Sequence, residues 1–240
     1  IKGVVVGDAE PVNNSDAEHM HWLANENSTL KNVTDIPAFV KANNRKVKVA
    51  VGSTGICADL QFKALLKKYN VSKDDVEFVV LADPQQEQAL QQGLIDIATL
   101  HPPFYKKAEK DGGVNILATS TEAFGKASGI TLIVFTEEYI KKYPGTVRDF
   151  TNAFKDAERW TNNNRDEAGK LTAEKIGLPY TSNVHWYSPS GAIDAEVKGY
   201  LQQWIDAMVE DGQLKKGEFT PEDLYTNEFS DTWKTDQPNN

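Results

Sequence analysis

At 240 residues, with 40% hydrophobic and 25% charged side chains, the chain has the composition of a globular protein that buries one large core or two small ones. A formal net charge of -9 excludes an extended nucleic-acid footprint and an anionic membrane surface as partners. Cys57 is the only cysteine, which excludes an intrachain disulfide and any metal cluster made of cysteines. No apolar run approaches the roughly 20 residues that cross a bilayer.

In chain order, IKGVVVGD (residues 1–8) reads as a buried strand and is followed by a polar loop. HMHWLAN (19–25) reads as a second strand, and a short helix lies within 28–40, capped by Thr34 or Asp35 ahead of Pro37. Residues 47–66, VKVAVGSTGICADLQFKALL, give a β-branched strand, a glycine-flanked turn and a helix on which Phe62, Leu65 and Leu66 recur at helical spacing. VEFVVLA (76–82) is a strand, and a helix from about 84 to 92 stops at Gly93. LIDIATL (94–100) is a strand that ends at His101-Pro102-Pro103. The helix FYKKAEKD stops at Gly112-Gly113, and VNILATS is a further strand. From 47 to 120 this βαβαβαβ order predicts an open α/β sheet with short loops. GITLIVF (129–135) adds a strand, and from Glu137 the chain turns helical. The stretch 146–162 carries Val147, Phe150, Phe154, Ala157 and Trp160 on one predicted apolar face, and helices follow at 165–176 and 194–210.

Ligands of open α/β sheets gather at the carboxyl ends of the strands, where GSTG and HPP both fall. Ser53, Thr54 and Gly55, with the N–H groups of Ile56 and Cys57, are the first candidates for holding a polar or anionic head. The same residues also fit a plain βα turn in which Ser53 or Thr54 caps the helix. His101 is the next candidate, since imidazole can donate or accept, with a histidine satisfied by its own turn as the alternative. Asp8 and Glu10 follow the first strand and complete the ligand set, against the simpler reading of a solvated loop. Cys57 opens a helix, but no base stands near it in sequence, so no nucleophile is assigned. His19 and His21 alternate on a strand as a conceivable metal pair; no third ligand follows at fitting spacing, and surface histidines are the simpler reading. No metal or cofactor is therefore expected. No G-x-S-x-G, H-E-x-x-H or Walker sequence occurs.

VKVAVGSTG, GLIDIATLHPPFYKKAEK, GITLIVFTEEYIKKYP and the closing WIDAMVEDGQLK with DLYTNEF together resemble, in order and spacing, the solute-binding proteins of ABC importers in the nitrate, sulfonate, taurine and thiamine-pyrimidine group. The resemblance implies an α/β, two-lobed periplasmic-binding-protein fold of the second topological type. Lobe two would span 19–124, with lobe one built from 1–18 and 129–240, and ligand would be clamped between the lobes. Trp22 and Phe124 would flank the crossings, where they could stack on a ligand, with core packing the simpler reading, and Trp160, Trp186 and Trp204 in the helical half read as core.

Members of that group begin with three βα units before a strand like IKGVVVGD, so the resemblance implies a further lobe-one portion of about 90 residues ahead of it. A processed fragment, a partner segment or an exchange between chains is expected to complete it. The function implied is non-catalytic and extracytoplasmic, periplasmic or membrane-anchored, with a small polar or anionic molecule and a membrane permease as partners and no nucleic acid. A ligand-sensing domain of a larger receptor is the alternative. An enzyme like the fungal thiamine-pyrimidine synthases is weaker, because their cysteine-rich motif is missing.

Overall fold

The computed structural model describes residues 1–9, 18–181, 184–188 and 190–233. Two compact units divide the chain: Ile1–Ala17 with Gly129–Asn240, and Glu18–Ser128.

The 18–128 unit is a five-stranded sheet in the order β4-β3-β5-β2-β6. Its strands are β2 (His21–Asn25), β3 (Val47–Val51), β4 (Val76–Val80), β5 (Ile97–Leu100) and β6 (Val114–Thr119). β3 pairs parallel with β4 and β5, as the alternating sequence predicts. β2 inserts antiparallel between β5 and β6, a position that nothing local in HMHWLAN signals. Helices α1 (Ile36–Asn43), α2 (Cys57–Lys68), α3 (Asp83–Gln91), α4 (Phe104–Asp111) and α5 (Ser120–Phe124) complete the unit. The sequence reading did not include α5, which Thr119 caps through its side chain.

Side chains alternate across the strands, so each strand feeds two cores. Trp22, Ala24, Val47, Val49, Val51 and Ile97 share one core with Phe62, Leu65 and Leu66 of α2. Leu23, Ala50, Ala98 and Leu100 share the other with Ala89 and Leu90 of α3 and Tyr105 and Ala108 of α4. Burial of a side chain such as Phe62, which is 0% exposed, contributes about 2–3 kcal/mol. Buried Gln86 ties α3 to the sheet: it donates to the Leu81 carbonyl at 2.9 Å and accepts from the Thr99 N–H at 2.6 Å.

The other unit has a two-stranded antiparallel sheet, β1 (Lys2–Val6) with β7 (Leu132–Phe135). Around it lie α6 (Glu137–Lys142), α7 (Pro144–Asn163), α8 (Arg165–Ile176) and α9 (Ala195–Glu210). One expectation fails here. The buried positions of α7 are Val147, Thr151, Lys155 and Glu158, while Phe150 is 46% and Trp160 40% exposed. The buried stripe runs at i, i+4, i+8 and i+11, one step round from the aromatic row. It admits Lys155 because that ammonium donates to Glu158 Oε2 and to the Ser188 carbonyl, each at 2.5 Å. The predicted core assignment of Trp160 is corrected accordingly. Trp22 and Phe124 are buried as expected.

Candidate functional site

The sheet register brings the candidate residues of the 18–128 unit to one edge. β3 and β5 run parallel with Val49 opposite Ile97, so the chain leaves both strands on the same side, toward Ser53 and His101. β2 runs the other way with His21 opposite Leu100, which puts the residues before His21 beside those after Leu100. Two strand exits and one strand entry therefore converge, and α2 starts from the same place.

Within the GSTG turn, Ser53 and Thr54 are exposed and Gly55 takes φ +78°, a conformation that favours glycine. Neither hydroxyl caps α2. Asp59 does so: its buried carboxylate accepts the Gly55 N–H at Oδ2 and the Ile56 N–H at Oδ1, both at 2.9 Å, and lies 3.1 Å from Lys63 Nζ. This corrects the expectation that the Ile56 N–H is open to a ligand. A carboxylate three residues into the helix outcompetes the shorter hydroxyls because both its oxygens reach the orphan donors at once. The Ser53 and Thr54 side chains remain outside that arrangement.

His101 is fixed by Asp83, the first residue of α3. The Asp83 Oδ2 accepts the His101 backbone N–H at 3.0 Å and contacts ring Nδ1 at 2.8 Å. That orientation turns Nε2 toward Cys57 Sγ, 3.7 Å away. Burial alone would lower the His101 pKa; the hydrogen bonds and charges of Asp83 and Cys57 overcome it and push it up to about 10. The imidazole is therefore cationic at neutral pH. His19 meets the His101 ring edge-on, with centroids 5.0 Å apart and planes at 79°. The histidine partner that sequence proximity did not offer Cys57 thus comes from a residue 44 positions away.

His21, expected at the surface, is buried at 3% exposure. Its ring stacks on Tyr105 with centroids 3.9 Å apart, and Nδ1 contacts Glu109 Oε1 at 2.7 Å. Burial would lower its pKa, but Glu109 and Glu18 outweigh that and raise it. His19 and His21 do not act as a pair: one is at the strand-exit cluster and the other is locked to two carboxylates.

Asp8 belongs to the other unit. Its N–H donates to Thr131 Oγ1 at 2.9 Å, it bridges to Tyr187, and its carboxylate lies 3.3 Å from His185 Nδ1. At 22% side-chain exposure it is no solvated loop residue. In the same unit, burial raises the Glu158 pKa to about 7 despite the adjoining Lys155. Glu10 lies outside the described residues. His185 was not singled out in the sequence, and its pairing with Asp8 depends on a chain reversal that no local motif announces.

Comparison with known proteins agrees with this architecture. The profile of the NMT1-like family matches residues 3–177. An Escherichia coli (strain K12) protein named for binding aliphatic sulfonates is 26% identical over 199 residues, 81% of this chain and 59% of the relative. The chain thus spans less than two thirds of that relative's length. Among solved structures, the periplasmic aliphatic sulphonate binding protein from Escherichia coli aligns with a TM-score of 0.66 at 22% identity, covering 93% of this chain and 68% of that one. The periplasmic nitrate-binding protein from Synechocystis PCC 6803 aligns with a TM-score of 0.73 at 12% identity, covering 96% and 66%. The fold is that of these periplasmic binding proteins. Among the described residues no helix is long and apolar enough to cross a membrane.

Proposed function

Because the chain belongs to the NMT1-like family, we propose that it is the solute-binding component of an ABC importer, working outside the cytoplasm and delivering a small polar or anionic molecule to a membrane permease. Sulfonates, the ligand class in the name of the relative from Escherichia coli, are the first choice. One observation carries the reading: at the carboxyl ends of β3 and β5, a His101 held cationic by Asp83 stands with the exposed hydroxyl side chains of Ser53 and Thr54. The imidazolium, its ring nitrogens turned to Asp83 and Cys57, supplies charge and the two hydroxyls supply donors to an oxyanion, without any group that must lose a proton on binding. The N–H groups of Gly55 and Ile56 are outside this set because Asp59 holds them. Binding is non-catalytic in this reading.

An additional segment, on this chain or a second one, completes the unit that holds β7. Two observations support that part of the reading. Among the described residues β7 pairs only with β1, and Val134, Tyr139, Tyr143 and Phe150 around it are 39–49% exposed.

Isothermal titration with taurine, an alkanesulfonate and nitrate tests the function. At least one should bind, and His101→Gln and the double variant Ser53→Ala/Thr54→Val should each weaken it about tenfold or more, near 1.4 kcal/mol, with an unchanged circular dichroism spectrum. Binding that is indifferent to both variants, or absent for the whole panel, refutes the reading.

A further inference from the structure

We propose that His19, Cys57 and His101 form a binding site for a thiophilic divalent cation, zinc foremost. This goes beyond the solute reading and does not rest on it, since the metal alone is the ligand.

One nitrogen from each imidazole and the Cys57 sulfur lie within 4.8 Å of one another, and all three side chains are half-buried, reachable yet not flexible surface groups. A tetrahedral zinc ion with bonds of about 2.0 Å to nitrogen and about 2.3 Å to sulfur separates its donors by about 3.5 Å. The 3.7 Å from Sγ to His101 Nε2 is already close to that spacing. A cation there would bridge this nitrogen and sulfur near their present spacing, so only the His19 ring has to close in.

The surroundings are those of a ligating histidine. Asp83 holds His101 Nδ1 at 2.8 Å and leaves Nε2 for the metal, the carboxylate–histidine arrangement that fixes ring orientation and strengthens the donor. The three ligands also come from three separate elements: the entry to β2, the first residue of α2 and the exit of β5. Such a set is held by the whole sheet edge and not by one loop. A sulfur with two imidazoles favours zinc and its late-transition neighbours over magnesium or calcium, which take oxygen. Three protein ligands leave a fourth position open to water or another small donor.

The test uses the whole chain, freed of metal by a chelator. Zinc chloride is titrated against a chromophoric competitor, and cobalt(II) is followed by absorbance. One zinc per chain is expected, and cobalt should give tetrahedral visible bands with a thiolate charge-transfer band in the near ultraviolet. Cys57→Ser should abolish that band and weaken zinc about a hundredfold. His19→Gln and Asp83→Asn should each weaken zinc about tenfold. Cys57→Ala serves as a second variant, and circular dichroism checks that each protein is folded. Absence of the charge-transfer band from the unmodified chain, or equal zinc affinity in folded Cys57→Ser, overturns the proposal. A metal result in either direction leaves the titrations with sulfonates and nitrate to decide the solute function separately.

Discussion

Removing the Asp59 carboxylate should loosen the start of α2 by a calculable amount. In Asp59→Ala the N–H groups of Gly55 and Ile56 lose their acceptor, and Lys63 loses its ion pair. Gly55 is half-buried and Ile56 exposed, so water partly replaces the carboxylate at both. Each lost bond then costs about 1 kcal/mol, below the full penalty of a sealed, unsatisfied donor. Lys63 is 31% exposed, which limits the pair to at most about 1 kcal/mol. The sum is about 2–3 kcal/mol, or about 5–10 °C in melting temperature for a chain of this size. Urea unfolding followed by fluorescence of the buried Trp22 reports on the same unit. Asp59→Asn keeps one acceptor oxygen and should lose about half as much. A change in Asp59→Ala below about 0.5 kcal/mol, or an asparagine variant as damaged as the alanine one, would refute the capping assignment.

Gln86→Leu strands the buried Thr99 N–H and the Leu81 carbonyl, and equilibrium unfolding should show a loss of about 2–4 kcal/mol. Gly191→Ala must place a methyl group against the Val5 side chain at φ +70°; a loss above about 2 kcal/mol in thermal unfolding is expected, with a neutral result disproving the close packing. Phe62→Ala, in the wholly buried row of α2, should cost about 3–5 kcal/mol by the same measurement. Glu158 binds its proton more tightly folded, near pH 7, than unfolded, near 4.5. Its contribution to stability is therefore complete below about pH 4.5 and lost as pH rises to about 7. Unfolding free energies measured across that window should fall in the native chain and stay flatter in Glu158→Gln.

Most elements were legible because their signals are local. VKVAV alternates between two buried faces, GG and Gly93 stop helices, and the βα alternation from 47 to 120 sets parallel pairing. The antiparallel insertion of β2 was not legible, since it depends on which strands compete for an edge, and no residue of HMHWLAN encodes that. The consequences reach the site: His19, Cys57 and His101 meet only because β2 enters where β3 and β5 leave. The helix cap was misassigned to Ser53 or Thr54 because a short-range rule favoured the residue before the helix over Asp59 inside it. The face of α7 was misread for a related reason. Hydrophobicity ranks Phe150 above Lys155, but the Ser188 carbonyl and Glu158 give the buried ammonium the partners that make it acceptable inside.

The way β1 is held has a consequence for synthesis. The unit from 18 to 128 is contiguous and holds both cores of its sheet, so it has all it needs once residue 128 is free of the ribosome. β1 precedes that unit, yet its most distant contact is made far along the chain: the Val4 carbonyl accepts from the Trp233 indole, 229 positions away. At translation rates of about 5–20 residues per second, roughly 5–20 s separate the two events. During that interval β1 can pair with β7, which follows residue 128 directly, but lacks the cover that Phe229 and Trp233 give Val4 and Val5. Nascent-chain complexes should therefore engage holding chaperones through the uncovered face of β1 and lose them once Trp233 is released.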